Sequence, residues 1–272
     1  MLLTGGVVLL LLAVVLFFVK RSEEEKLGYI AAIQTSNARD VVEAAKAMAD
    51  RSGKKGAFRQ LVEVKGVIKS ENPLTSEVAK QKCVYYEMAV TRKTEETYEE
   101  KNSATNQMVR KTREKTCTVA SNKQSVNFFV EDPTGKIMVD MKGADIDPIQ
   151  VADKFELGEP VQTGQALTIG GFTFNLSGSS FTPLQQGHRT IGYNYTEKIL
   201  PLERRVYVLG EATDSDGELV IKAPKEKGRF IVSLKSEEEL MQSGSSAIQF
   251  MTVGMILCGL GGFGLIIYKF LA

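Results

Sequence analysis

Leu61-Val-Glu-Val-Lys-Gly-Val-Ile68, followed by Asn72-Pro-Leu-Thr-Ser76 and then by Cys83-Val-Tyr-Tyr-Glu-Met-Ala-Val90, is the stretch on which the fold turns. Its first segment sets apolar residues at every second position up to Gly66, the period of a half-buried strand. Asn72 to Ser76 breaks the run, because proline has no backbone N–H for a sheet ladder and Asn and Ser favour turns. A loop of roughly ten residues therefore runs to Lys82. Cys83 reopens a strand, and Glu87 to Val90 continue it with apolar and β-branched residues. Strand, loop and strand predict a hairpin-like β core.

Downstream, Lys82 to Ala120 reads as a long hairpin whose tip is Lys101-Asn-Ser-Ala-Thr-Asn106. Its outgoing arm is acidic at Glu95, Glu96, Glu99 and Glu100, and its return arm is basic at Arg110, Lys111, Arg113 and Lys115. A tip near Ser103 and Ala104 sets Glu96 opposite Lys111 and Lys93 opposite Glu114. Those pairings use the cations internally, in preference to phosphate binding. Strands at 126–130 and 136–140 flank the turn Glu131-Asp-Pro-Thr-Gly135, and strands at 166–169 and 172–176 meet at Gly170-Gly171. Residues 177–186 are loop-like, and further strands fall at 189–199, 205–210, 218–223 and 229–234. So many short strands predict a closed or partly closed antiparallel barrel, OB-like in its pattern.

The ends of the chain have a different character. Residues 1–19 carry no charged side chain, and at about 1.5 Å per residue they extend about 28 Å, close to the ~30 Å hydrocarbon core. A cleavable signal peptide is the competing reading, but no Lys or Arg precedes the apolar run and no small-x-small site precedes Lys20. Residues 247–268 are also uncharged and extend about 33 Å as a helix. Within them Gly254, Cys258 and Gly262 recur every four residues, a spacing at which small side chains let a second helix approach. Leu2 to Val19, with Gly5 and Gly6, is the natural partner, in the same chain or in a second copy as a helix-mediated homo-oligomer. Lys20, Arg21 and Lys26 outnumber the single Lys269, so the charge bias places the β domain on the cytoplasmic side. Thr35-Ser36-Asn37 predicts the N-cap of a short juxtamembrane helix over about 36–50, with Asp40 in its first turn, Val41, Ala45 and Met48 on one face and Gly53 as C-cap. That helix either packs on a neighbouring surface or serves as a spacer.

The 272 residues, with 34 basic and 33 acidic side chains, have a formal charge of +1, which gives no general attraction to nucleic acid. Three cysteines, at 83, 117 and 258, make no disulfide scaffold. In the hairpin register above, Cys83 and Cys117 are offset by about seven residues, or about 23 Å, far beyond disulfide reach. His188 is the single histidine, which excludes a His-based metal cluster, and no nucleophile motif accompanies it. Asp145 and Asp147 resemble paired carboxylates, but nothing builds a cleft around them, and they read as a solvated turn before Pro148. Gly259-Leu-Gly-Gly-Phe-Gly264 imitates a dinucleotide fingerprint inside a membrane helix, with no strand before it. No catalytic residue, cofactor or metal is expected.

The motifs quoted at the outset resemble the GIDE domain, also called BAM for "beside a membrane". Later segments agree in order: Phe128-Phe-Val-Glu-Asp-Pro-Thr-Gly-Lys-Ile-Met-Val-Asp140, Glu197-Lys-Ile-Leu-Pro201, Val206-Tyr-Val-Leu-Gly-Glu211 and Phe230-Ile-Val-Ser-Leu-Lys235. The similarity covers about residues 27 to 268 and implies two membrane spans flanking a mainly β domain. The division expected is a span at 1–19, a juxtamembrane segment at 20–59, a β domain at 60–246 and a span at 247–268. Well-known members of that family are ubiquitin ligases whose zinc-binding RING follows the second span. A RING needs eight Cys and His ligands, whereas this sequence has three Cys and one His, so a RING-less member is expected and ligase activity does not carry over. The resemblance therefore implies a membrane-anchored binding module that recruits a protein or lipid partner, with Asn72, Pro73, Leu74, Thr75 and Ser76 as candidate contacts. The alternative is a ligase-like protein or enzyme subunit whose catalytic part another chain supplies.

Overall fold

The computed structural model describes residues 2–53, 56–101, 107–157, 161–163, 166–169, 172–175, 188–215 and 217–271. In chain order the strands are β1 (Thr35–Ser36), β2 (Arg59–Lys69), β3 (Leu74–Thr75), β4 (Lys82–Lys101), β5 (Met108–Ser125), β6 (Phe128–Asp132), β7 (Gly135–Val139) and β8 (Asp145–Asp147). They continue with β9 (Ile149–Leu157), β10 (Val161–Thr163), β11 (Ala166–Ile169), β12 (Phe172–Asn175), β13 (His188–Pro201), β14 (Arg205–Thr213), β15 (Val220–Lys222) and β16 (Ile231–Ser233). The helices are α1 (Leu2–Ala32), α2 (Ala38–Ser52) and α3 (Glu237–Leu271). Two apolar terminal helices thus flank a mostly β chain. Contacts divide it into two compact units, Met1–Gly66 with Val130–Asp147 and Arg205–Ala272, and Val67–Phe129 with Pro148–Arg204.

In the first unit α1 and α3 are long and apolar enough to cross a membrane. Only 6% of the apolar window of each is buried, whereas the core helix of a soluble domain would be mostly covered. Both helices outrun the uncharged segments read from sequence. α1 continues past Val19 to Ala32 because its Lys, Glu and Ala residues are good helix formers, with a Lys20–Glu24 pair at 3.3 Å one turn apart. α3 begins at Glu237 because Ser236 and Glu239 form a capping box: the Glu239 N–H donates to Ser236 Oγ at 3.2 Å and the Ser236 N–H to Glu239 Oε2 at 2.8 Å. The helices run antiparallel, with Gly244 beside Leu27, Gly254 beside Leu16 and Gly262 beside Gly6. A Cβ on Gly6 would lie 3.0 Å from the Gly262 carbonyl oxygen, and one on Gly262 would lie 3.0 Å from the Gly6 oxygen, so the crossing requires glycine on both sides.

The β part of this unit is one eight-stranded sheet among the described residues, ordered β1-β2-β6-β7-β15-β14-β16-β8, and β14 also pairs with β2. That second pairing closes β2, β6, β7, β15 and β14 into a five-stranded barrel, as the run of short strands predicts. The sheet is not wholly antiparallel: β1 on β2, β15 on β7 and β16 on β8 are parallel, each pair being joined by long stretches of intervening chain. Gly66 lies where β2 crosses its neighbour; a Cβ there would sit 2.5 Å from the Glu131 carbonyl oxygen. α2 starts as read, with the Asn37 side chain accepting from the Asp40 N–H, and ends on Gly53 at φ 61°. Val41 and Ala45 are buried, but Met48 is 44% exposed, because the covered face ends one turn earlier.

The second unit is a five-stranded sheet, β3-β4-β13-β9 with β5 beside β4, and a three-stranded piece, β10-β11-β12. Its core lies on one face, where Tyr86, Met88, Val90, Tyr193, Tyr195 and Ile199 are buried. β4 and β5 form the long hairpin, but the register differs from the sequence reading by two residues: Glu96 faces Arg113 and Tyr98 faces Lys111. A shift of two keeps every side chain on its face, so charge alternation alone does not fix it. The tip, residues 102–106, and the Gly170-Gly171 turn lie outside the described residues. β9 and β10 went unread in the sequence, where Asp153 and Lys154 interrupt the alternation of Ile149, Val151 and Phe155.

Candidate functional site

The candidate contact segment sits on the second unit at the base of the long hairpin. Leu74 and Thr75 pair with Cys83 and Lys82. The Ser76 N–H donates to the Gln81 oxygen at 2.9 Å, and the Gln81 N–H to Ser76 Oγ at 3.1 Å, closing the loop, while Lys80 takes the left-handed conformation at φ 57°. Beneath it lies Glu197, which is fully buried. Its Oε1 accepts from the Glu77 and Val78 N–H groups at 2.7 and 2.8 Å, and its Oε2 from the Ala79 N–H at 2.7 Å. Three consecutive amides converging on a carboxylate are the side-chain version of an anion nest, and they satisfy a charge that would otherwise be costly to bury. Glu77 is turned inward as well, accepting from Tyr86 OH at 3.0 Å and from the Asn122 amide.

The five predicted contact residues are therefore not equivalent. Asn72 and Thr75 are exposed and Pro73 is half-buried, whereas Leu74 packs on the core and Ser76 is only 1% exposed. Leu74 and Ser76 hold the loop. Sequence reasoning missed Glu197, although it falls on the alternating buried face of Tyr193, Tyr195 and Ile199, where a carboxylate signals an internal partner. Cys83 below the loop is no nucleophile: burial first, then the Glu197 charge, pushes its thiol up to about 11.

A second buried carboxylate, Glu63, lies in the first unit. It accepts from Tyr207 OH at 2.8 Å and Thr35 Oγ1 at 2.5 Å, and Lys65 Nζ stands 3.0 Å away. Lys65 also reaches Glu237 at 2.6 Å, which ties the start of α3 to β2. Burial alone would lower the Lys65 ammonium, but Glu237 and Glu63 outweigh it and the net shift is upward. Burial, followed by the Glu63 hydrogen bond, drives the Tyr207 phenol well above its usual range. Both Glu63 oxygens, the Tyr207 and Thr35 hydroxyls and the Lys65 ammonium are engaged with one another or with Glu237, so the group acts as a fastening.

Asp132 does the same for α2. Its Oδ2 accepts from the Ala38 N–H at 2.6 Å, and its Oδ1 from the Thr134 and Gly135 N–H groups at 2.7 and 3.0 Å. Burial pushes its carboxyl upward, but Thr134 and these amides more than reverse that.

The remaining candidates are placed as follows. Asp145 and Asp147 lie in a strand, not a turn, because β8 pairs with β16; Asp145 meets Lys26 at 2.9 Å and Asp147 meets Lys235 at 2.9 Å. Ion pairs bridge the two arms of the hairpin, with Lys111 on Glu100 at 2.6 Å, Lys93 on Glu114 at 2.7 Å, and Arg113 and Lys115 both 2.7 Å from Glu96. Hydrogen bonds from Arg113, then Lys115, hold the Glu96 carboxyl down at about 2. His188 begins β13 in register with Glu96, rather than lying in a turn; its side chain is outside the description. Among the described residues no group of three or more His, Cys, Asp or Glu is placed to hold a metal ion. Gly254 and Gly262 line the contact between α1 and α3, and Cys258 is half-buried between them.

Comparison with known proteins identifies a family and a similar curated protein. A family model described as "GIDE: E3 Ubiquitin ligase" matches residues 95–267. That match begins beyond the Leu61–Val90 stretch whose motifs carry the resemblance. An Arabidopsis thaliana protein, E3 ubiquitin-protein ligase SP1, is 27% identical over 207 residues, covering 73% of this chain and 52% of that protein. The chain thus spans about half the length of the curated relative it matches. No solved structure matches it. With well over half of its residues under the family model, the chain belongs to the GIDE family.

Proposed function

We propose that this protein is a membrane-anchored binding module in which α1 and α3 span the bilayer and the β domain, on the cytoplasmic side, recruits a protein partner through the outward face of the 72–82 loop. The observation that carries this reading is the Glu197 nest. A buried charge and three amides are committed to holding one surface loop in one shape, which lowers the ordering cost that a partner would otherwise meet. The side chains left facing out, Asn72 and Thr75 among them, are polar and suited to a hydrogen-bonded contact. A photoreactive residue at Thr75 in the full chain, irradiated in native membranes, should give an adduct of one defined mass that weakens when Glu197→Gln loosens the loop. Equal labelling at Thr75 and at Thr97, exposed on the hairpin arm, would overturn the proposal.

A second reading is favoured by the family description and by the relative's name, both of which are those of ubiquitin ligases. Three Cys and one His cannot supply the eight ligands of two tetrahedral zinc sites. In that reading ubiquitin transfer is catalysed outside these 272 residues, and the module positions the substrate. Adding the purified chain to a charged conjugating enzyme should then leave ubiquitin transfer unstimulated.

A further inference from the structure

α1 serves as a ruler. Ser22, Lys26 and Ile30 lie one turn apart on a single face, and each meets a different part of the first unit. Arg229 Nη2 donates to the Ser22 carbonyl oxygen at 2.9 Å and to its Oγ at 2.7 Å, and stands 3.7 Å from Glu25. Lys26 meets Asp145, and Ile30 packs with Tyr207, Ile231 and Leu240. At about 1.5 Å per residue these levels are ~4.5, ~10.5 and ~16.5 Å beyond Val19, where the uncharged run ends. The headgroup layer on each side of a bilayer is about 5–7 Å thick. Ser22, and with it Arg229, therefore falls inside that layer, and Asp145 falls beyond it. On α3, Gly254 beside Leu16 and Gly244 beside Leu27 place about residues 248–251 level with Val19 to Ser22.

From this we infer that the β15–β16 loop, Ala223 to Arg229, is a membrane-contacting element that binds anionic phospholipid headgroups. Arg229 fixes one end of the loop to α1 at headgroup depth. Gly228 keeps the turn tight, since a Cβ there would be 2.8 Å from Pro224 Cγ. Lys225 and Lys227, two and four residues away, are exposed and meet no acidic side chain among the described residues. Arg229 and Lys20, by contrast, are matched by Glu25 and Glu24. Two unmatched ammonium groups two and four residues from this anchor suit phosphate and carboxylate groups of anionic lipid, and each lysine near such a surface contributes roughly a fivefold gain in occupancy. Glu226 between them limits the effect and makes the loop selective for strongly anionic membranes.

The inference rests on the proposal that α1 and α3 span the bilayer, so the experiment reads the two separately. In full-length chain with Cys117→Ser and Cys258→Ala, reconstituted in nanodiscs, a fluorophore is attached through Glu226→Cys, Gly28→Cys or Leu257→Cys. Gly28 is exposed, has nothing within 4 Å of its Cβ position, and lies ~13.5 Å beyond Val19 by the same rise. Headgroup nitroxide lipid should quench the probe at 226 strongly and the probe at 28 weakly. Acyl-chain nitroxide should quench the probe at 257 whatever the loop does; failure there overturns the spanning reading instead. Replacing neutral phosphatidylcholine by a mixture containing phosphatidylserine should raise quenching at 226, and Lys225→Glu with Lys227→Glu should abolish the rise. Quenching at 226 no greater than at 28, or quenching indifferent to lipid charge and to charge reversal, would overturn the inference. Acetylation of the unmodified protein gives an independent reading: Lys225 and Lys227 should become protected in anionic discs relative to neutral ones, and equal labelling in both would count against it.

Discussion

Replacing Glu197 by glutamine should destabilise the second unit by about 2–4 kcal/mol, a figure that follows from its three hydrogen bonds. Glutamine keeps one carbonyl oxygen for the Glu77 and Val78 N–H groups, but as a neutral acceptor, at a loss of about 1 kcal/mol each. Its NH2 group replaces the oxygen that accepts from Ala79, leaving a buried donor facing a donor, which costs about 1–3 kcal/mol. Against this, a neutral amide is easier to bury than a carboxylate, which trims the total. At roughly 2–4 °C per kcal/mol for a chain of this size, the melting temperature should fall by about 5–15 °C. Thermal unfolding of the full chain in detergent, followed through its tyrosines, would measure this, and trypsin cleavage after Lys80 and Lys82 would report the loop itself. Glu99→Gln, on the exposed hairpin arm, should stay within about 0.5 kcal/mol of the parent. If Glu197→Gln melted with the parent and Lys80 became no more cleavable, the nest would not be what holds the loop, and the argument for a preorganised contact surface would fall with it.

Other outcomes follow from the same geometry. Cys83, with its thiol pushed up to about 11, should resist alkylation at pH 8, whereas Cys117, half-buried on the hairpin, should react first. Because Cys117 pairs with Arg92, nine residues along β4 from Cys83 and therefore ~30 Å away, non-reducing peptide mapping should find no link between them. Glu96 is depressed below its unfolded value, so the hairpin stability it supplies is fully present above about pH 4.5 and is lost as pH falls through about 2; carbon NMR of the carboxyl should titrate there, and Arg113→Ala should move the midpoint upward. A disulfide engineered between Leu16→Cys and Gly254→Cys should close within one chain; dimers alone would place the helix partner in a second copy.

The barrel, the helix α2 and the terminal spans were legible because each rests on local periodicity or on a cap: alternation in β2, Asn37 and Gly53 around α2, uncharged runs at both ends. What escaped was set by distant partners. Glu63 and Asp132 look in sequence like ordinary surface carboxylates; Glu197 sits on an alternating apolar face, but the amides it holds come from a loop about 120 residues earlier, beyond the reach of any local pattern. The parallel pairing of β8 with β16 joins residues more than eighty apart, which no local pattern reports. The two-residue error in the hairpin register has the same origin: the bulge at Val119 and the pairing of β13 along β4 fix the alignment, and neither is visible in the hairpin's own charges.

The three buried carboxylates share a task. Each fastens an irregular segment to a β surface: Glu197 the 76–79 loop, Glu63 the β1 strand and, through Lys65, the start of α3, and Asp132 the N-terminus of α2. An apolar side chain in any of these positions would bury more cheaply but would leave two or more backbone or hydroxyl groups without acceptors. Carboxylates are therefore the economical choice wherever a turn or a helix start must be held against a sheet. Two of the three lie in the first unit, where α1 and α3 enter it, so a force on either helix reaches the barrel through the Lys65–Glu237 pair and the Ile30 contacts rather than through a flexible linker. On the proposed reading, the barrel of the first unit thereby keeps a fixed height above the bilayer, which a pair of unstructured tethers would not provide.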